Sequence, residues 1–173
     1  MRLERWKALR DAYAARLDES RLRLARPDAL IPLAVLGLLT GVLAGAVIVL
    51  FRLFVEDLQD FGLPGEGAEN YEALPLWARV LVPLVAAVLL AAMFRWFAHG
   101  IYVLGVARVM ERMAYHQGRS TVREFFLQFF GAAIAIVGGH SVGREGPHVF
   151  LGASSGSLLG QAFGLPNNVI RTL

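Results

Sequence analysis

At 173 residues, 56% of them hydrophobic, and with a mean hydropathy of +0.53, the chain is too apolar for an ordinary globular domain and long enough for several membrane helices. The absence of cysteine excludes disulfide scaffolds, thiol catalysis and cysteine-ligated metal sites. Eight of the 17 Lys and Arg fall in the first 26 residues, ahead of an apolar run; that is the pattern of a cytoplasmic flank and not of a nucleic-acid-binding face.

Residues 1 to 27 favour a helix, with Leu3, Trp6, Leu9, Arg10, Tyr13, Leu17 and Leu24 forming a loose amphipathic stripe. The charged part is too long for a secretory signal, so this segment is expected to lie along the cytoplasmic membrane surface. Residues 28 to 173 are expected to form the transmembrane region. Asp28 offers an N-cap, and Ala29 to Phe51 gives 23 residues without a charge, enough to cross a hydrocarbon core of roughly 30 Å. Gly37, Gly41 and Gly45 make a flat strip on one face, expected to pack closely against a neighbouring helix.

Residues 53 to 75 carry six acidic groups and no Lys or Arg, and Gly62-Leu63-Pro64-Gly65 breaks the helix. With the basic flank on the other side, this predicts a cytoplasmic N-terminus and an outer loop. Leu74 to Phe97 returns as a second span, framed by Trp77 and Trp96, so the first two spans predict a helical hairpin. The more polar stretch 98 to 124 suits only a short helix, ending at His116-Gln117-Gly118.

Phe125 to Val142 is an 18-residue charge-free run, a minimal span. It leads into Gly143-Arg144-Glu145-Gly146-Pro147, a charged pair and a glycine-proline break inside an otherwise uncharged region. Ionisable groups at membrane depth are costly and usually functional. Pro147 suits the first position of a new helix, and Gly152, Gly156, Gly160 and Gly164 then recur every fourth residue as a packing face.

A helix that starts inside the membrane presents unpaired N–H groups and the positive end of its dipole, where anions gather. Discontinuous helices of this kind bind ions near the bilayer midplane. Gly146 leaves the backbone open to a ligand, and the Glu145 carboxylate can occupy the anion site from within the protein until protonation releases it. The competing readings of Glu145 are an ion pair with Arg144 or a structural cap. Gly152-Ala153-Ser154-Ser155-Gly156 matches the G-x-S-x-G nucleophile elbow, but that elbow needs a strand before it, and here a helix runs through. Ser154, Ser155 and Ser157 are therefore read as hydroxyls bonding back to helix carbonyls. His99, His116, His140 and His148 show no metal-ligand spacing, so neither metal nor cofactor is expected; His140 and His148, which flank the charged stretch, line a cavity or relay protons.

Gly143-Arg144-Glu145-Gly146-Pro147, followed by His148-Val149-Phe150-Leu151-Gly152, resembles the G-[KR]-E-G-P-x-V-x-x-G signature of the CLC chloride channels and chloride/proton exchangers. The resemblance covers nearly the whole chain. It implies an all-α membrane protein with the first six helices of the CLC fold, from the amphipathic cytoplasmic helix through the hairpin to the broken helices. It further implies voltage-gated chloride transport or chloride/proton antiport, with Glu145 as gating glutamate and anion contacts from Gly143, Arg144, Gly146 and Pro147.

The family's G-S-G-I-P element falls at Ala98-His99-Gly100-Ile101-Tyr102, where His99 stands in place of the anion-coordinating serine. The expected partners are chloride, protons and the lipid bilayer, with a homodimer in the full-length protein and no nucleic acid, in a bacterial-type plasma membrane. Permeation changes no covalent bond, so no enzyme is expected. The family's second inverted half has no counterpart in this sequence, so the chain is expected to be partial and inactive alone; the alternative is a non-transporting membrane scaffold or assembly fragment.

Overall fold

The computed structural model describes residues 30–62, 70–99 and 104–172, and all regular structure there is helical. The amphipathic segment 1–27, the Asp28 cap, residues 63–69 of the expected outer loop and Gly100-Ile101-Tyr102 of the G-S-G-I-P counterpart lie outside the described residues. Helix α1 spans Leu30–Gly62 and α2 spans Leu76–Phe97, with a single 3₁₀ turn at Tyr71–Ala73 between them. Helices α3 (Val106–Tyr115), α4 (Val122–Val137), α5 (Glu145–Ala162) and the short α6 (Asn167–Ile170) follow.

Both α1 and α2 are long and apolar enough to cross a membrane. At 33 residues α1 extends about 50 Å, well past the charge-free run. Its continuation beyond Phe51 has a physical cause. Arg52 and Glu56 pair at 2.7 Å one turn apart on the outside, while Phe51, Val55 and Gln59, at four-residue spacing, are all at most 2% exposed on the inside. The helix stops at Gly62, where the glycine-proline cluster begins.

The core lies between α1, α4 and α5. Phe51, Val55, Ala132, Ala133, Ile136 and Leu151 form one buried cluster, ringed by Phe54, Phe125 and Phe129. Small residues in the middle of α4 let α5 approach, and Phe51 meets Phe129 edge to face with centroids 5.1 Å apart. Helix α2 packs on the other side of α4 and not chiefly on α1. The two spans are therefore splayed, a correction to the expected hairpin, and an apolar groove of about 380 Å³ lined by Leu58, Leu81, Val85 and Phe130 lies between them. Gly138 marks the closest approach: a Cβ there would stand 2.2 Å from that of Ala86.

The strip Gly37, Gly41 and Gly45 differs from expectation. It is exposed, with nothing within 4 Å of where side chains would begin, so α1 does not use it to pack among the described residues. The outer faces of α1 and α2 carry exposed Leu38, Val42, Val80 and Leu84, an arrangement suited to lipid and not to water.

Helix α4 begins three residues earlier and ends five earlier than the charge-free run. Thr121 and Glu124 form a reciprocal capping box that starts it at Val122, and Gly138 with Gly139 at φ +74° stops it after Val137. Its 16 residues reach only about 24 Å, short of a full span. Glu124, whose side chain is fully buried, also ties α4 to α3: it accepts from Arg108 at 2.5 and 2.8 Å and from Arg112 at 2.6 Å. Helix α3 ends where expected, with Gln117 and Gly118 both at positive φ and Gly118 N–H donating to the Arg112 carbonyl.

Helix α5 packs along α1 and α4 and, towards its end, against α3 and α6. Gly160 receives Ile170 and Gly152 receives Ile48, so this glycine strip does serve packing, although Gly164 lies past the helix end at φ +61°. Only Ser155 bonds back to a helix carbonyl, that of Leu151. Ser157 accepts from Ser120 N–H and donates to the Gly118 carbonyl, while Ser154 donates to the Ser120 hydroxyl, so those two serines fasten the loop before α4 and correct the expectation. The G-x-S-x-G match lies inside α5 with Ser154 fully buried, so no nucleophile elbow exists there.

Candidate functional site

The charged stretch occupies the break between α4 and α5. Where α4 ends, its last carbonyls have no intrahelical partner. Tyr71, from the 3₁₀ turn between α1 and α2, caps this end: its single hydroxyl proton is shared between the carbonyls of Ile136 at 2.8 Å, which also accepts from Gly139 N–H, and Val137 at 3.0 Å. The ring lies 3.1 Å from where a Cβ on Gly139 would stand, so the positive φ and the close contact both require glycine there. His140 closes the turn, with Nδ1 3.2 Å from the Ala135 carbonyl.

Residues 140–143 carry no regular structure, and α5 begins at Glu145 with Arg144 as the N-cap residue. Pro147 is thus the third residue of the helix and not the first, a shift of two positions from expectation. It remains compatible because no residue of the first turn needs an intrahelical N–H. The first helical bond runs from His148 N–H to the Arg144 carbonyl at 3.2 Å. The N–H groups of Glu145 and Gly146 donate to nothing among the described residues.

The helix start also leaves space. A Cβ built on Gly143 or Gly146 would meet no atom within 4 Å. Glu145 is exposed and its carboxylate makes no hydrogen bond or ion pair among the described residues, so neither the structural-cap reading nor the Arg144 pair describes it. Pro147 is buried, anchoring the helix start in the core. Arg144 reaches α1, where its Nη2 donates to Gln59 Oε1 at 3.4 Å. Unpaired N–H groups, the positive helix end, a neighbouring guanidinium and open space together favour an anion, and the Glu145 carboxylate is the nearest one the chain supplies.

One turn into α5, His148 stands edge-on to Phe51 with ring centroids 5.7 Å apart. Its Nε2 is buried with no hydrogen-bond partner among the described residues. His99 lies elsewhere: it follows the end of α2, at φ +43°, and its ring Nδ1 contacts the Arg123 guanidinium at the opposite end of α4. The structure therefore joins Gly143, Arg144, Glu145, Gly146 and Pro147 at one helix start and does not bring His99 to them.

Two residues of the site went unread in the sequence, Gln59 and Tyr71. Gln59 stands among acidic residues, yet its place eight residues after Phe51 and four after Val55 puts it on the buried face of α1. Tyr71 gave no local signal.

Comparison with known proteins identifies the family. The family model "Voltage gated chloride channel" matches residues 83–173, from the middle of α2 to the end of the sequence. A ClcB-like chloride channel protein of Ralstonia nicotianae is 33% identical over 135 residues, covering 75% of this chain and 30% of that protein. Chloride channel protein CLC-e of Arabidopsis thaliana is 31% identical over 135 residues, covering 67% of this chain and 17% of that one. The chain thus spans less than a third of the length of these relatives. No solved structure matches. With half its length matched and the signature at a helix start between packed helices, the chain belongs to the CLC family of voltage-gated chloride channels, membrane transport proteins and not enzymes, and carries part of their domain.

Proposed function

We propose that this chain forms the first part of a chloride permeation pathway, with Glu145 as its gating group. The observation that carries the reading is the start of α5: an exposed carboxylate without a partner among the described residues, beside two undonated N–H groups and open space at Gly143 and Gly146. In the ionised form the Glu145 carboxylate competes with chloride for the helix end; protonated, it yields the site. Gly143, Arg144, Gly146 and Pro147 build the anion's surroundings, through backbone groups, a fixed positive charge and a buried hinge. A proton taken up by Glu145 as chloride enters would couple the two fluxes in an exchanger, while a channel would use the same step only to open.

In this reading residues 1–27 lie on the cytoplasmic face, residues 28–173 are the first, broken-helix half of the membrane domain, and the full-length protein is a homodimer in a bacterial-type plasma membrane. His99 would contribute to the pathway only through segments beyond those described. The chain alone is expected to conduct nothing, since it spans less than a third of the length of the chloride channel proteins it matches.

Equilibrium chloride binding to the purified full-length protein tests the reading. Calorimetry across pH should show affinity rising as pH falls in the wild type and independent of pH in Glu145→Gln, which removes the competing charge but keeps the shape. A Glu145→Gln protein that still tightens its chloride binding on acidification removes the proposal.

A further inference from the structure

We propose that Gln59 is a positioning residue for the gate: through a continuous hydrogen-bond chain it couples the turn after the outer loop to Arg144 at the start of α5. The inference rests on the reading of Glu145 as the gate. The chain of bonds begins at the end of α4. Tyr71 donates its hydroxyl proton to the carbonyls of Ile136 and Val137 and accepts from Gln59 Nε2 at 3.1 Å. Gln59 Oε1, at the other end of the same amide, accepts from Arg144 Nη2 at 3.4 Å.

A glutamine 1% exposed in a packed helix face is costly unless both ends of its amide are used. Both are used here, and on two different elements. Gln59 and Tyr71 together therefore join four pieces: the last turns of α1, the 3₁₀ turn, the C-terminus of α4 and the N-cap of α5. The two helix ends at the break are thereby tied to each other and to the 3₁₀ turn. An apolar core residue of the same volume would fill the space as well. It could not fix the direction of the guanidinium.

Direction matters because Arg144 immediately precedes Glu145. A guanidinium drawn towards α1 by Gln59 acts on the anion site as a fixed positive potential; without that bond its other contacts set its place, and a shift towards the neighbouring carboxylate favours the ionised form. The other titratable groups nearby are His148 on α5 and, on α1, Arg52 in its pair with Glu56, followed by Asp57 and Asp60 in the next turn. None of these bonds to Gln59 or Tyr71 among the described residues. Breaking the relay therefore moves the Arg144 charge, which acts on Glu145 and also on His148, and leaves Arg52, Asp57 and Asp60 in their present bonding.

The test uses the full-length protein in liposomes, with chloride flux followed against pH and chloride concentration for Gln59→Met, Tyr71→Phe and, as the benchmark, Glu145→Gln. Gln59→Met keeps the length and volume of the side chain but neither bond. We expect its flux midpoint to move to lower pH by about one unit and its half-saturating chloride concentration to rise about tenfold, the loss of one hydrogen bond to a charged group. Tyr71→Phe, which deletes one oxygen, should shift both in the same direction by less, and decides the matter alone if Gln59→Met fails to fold. If Glu145→Gln abolishes the pH dependence while both relay variants keep the wild-type midpoint and half-saturation, Gln59 is a packing residue only and the inference is overturned. If Glu145→Gln itself keeps the pH dependence, the gate reading fails, and the relay falls with it.

Discussion

Removing the Glu124 carboxylate should be among the most damaging single changes in the chain. Its side chain is fully buried, and it accepts from Arg108, from Arg112 and from the Thr121 hydroxyl at 3.0 Å. The two arginine side chains are themselves only 16% and 15% exposed, and Arg108 has one further carboxylate, Glu111, at 2.8 Å. Glu124→Ala leaves two guanidiniums facing each other with a single counter-charge and also removes half of the α4 capping box. Breaking a buried pair by deleting one partner costs about 3–5 kcal/mol, because the charge left behind is uncompensated. The lost cap is part of that figure and not an addition to it. Burial pushes this carboxyl up, but hydrogen bonds from Arg112, Arg108 and Thr121 outweigh it and hold the group below the ordinary carboxylate value. A depressed folded-state value means that the contribution is complete above the unfolded value of about 4.3 and is lost as pH falls through the folded one. Unfolding of the full-length protein in mixed micelles, scanned from pH 7 to pH 3, should show Glu124→Ala destabilised at neutral pH and the gap narrowing in acid. A variant within about 1 kcal/mol of wild type at pH 7 would refute the argument that this triad locks α3 to α4.

Gly138→Ala places a Cβ 2.2 Å from that of Ala86 and 2.9 Å from the Ile134 carbonyl oxygen, so it should cost about 1–3 kcal/mol by thermal unfolding in detergent, and Ala86→Gly in the same protein should recover part of the loss. Leu151, fully buried between α1 and α4, should cost about 2–5 kcal/mol when changed to Ala, measured the same way. His148→Leu removes a buried ring nitrogen that has no partner among the described residues, so stability should stay within about 1 kcal/mol of wild type or rise, and the pH profile of flux should keep its midpoint; a displaced midpoint would make His148 a proton carrier.

The break at residues 143–147 was legible because charge, glycine and proline interrupt two apolar runs, a pattern that needs no tertiary information. The short α3 and its end at Gln117-Gly118 were legible for the same local reason. Thr121-Val122-Arg123-Glu124 also carried a capping box in plain sight, but treating Glu124 as a flank to an uncharged span hid it. Its burial could not be read locally, since Arg108 and Arg112 approach from 16 and 12 positions away. Equal spacing concealed unequal fates: Gly152 and Gly160 receive side chains, whereas Gly37, Gly41 and Gly45 face open space. Periodicity tells which residues share a face, and only the packing tells which face is covered. Gln59 illustrates the converse, a polar residue whose register with Phe51 and Val55 placed it inside while its acidic neighbours suggested water.

The most direct test of the central claim is chloride flux by full-length protein in liposomes across a pH series, with Glu145→Gln compared to wild type at equal reconstituted amounts. The account predicts that the wild type passes more chloride as pH falls and that Glu145→Gln conducts at every pH with no such dependence. A Glu145→Gln protein that retains the wild-type pH profile would contradict it, and the carboxylate at the start of α5 would then be only a charge at a helix end.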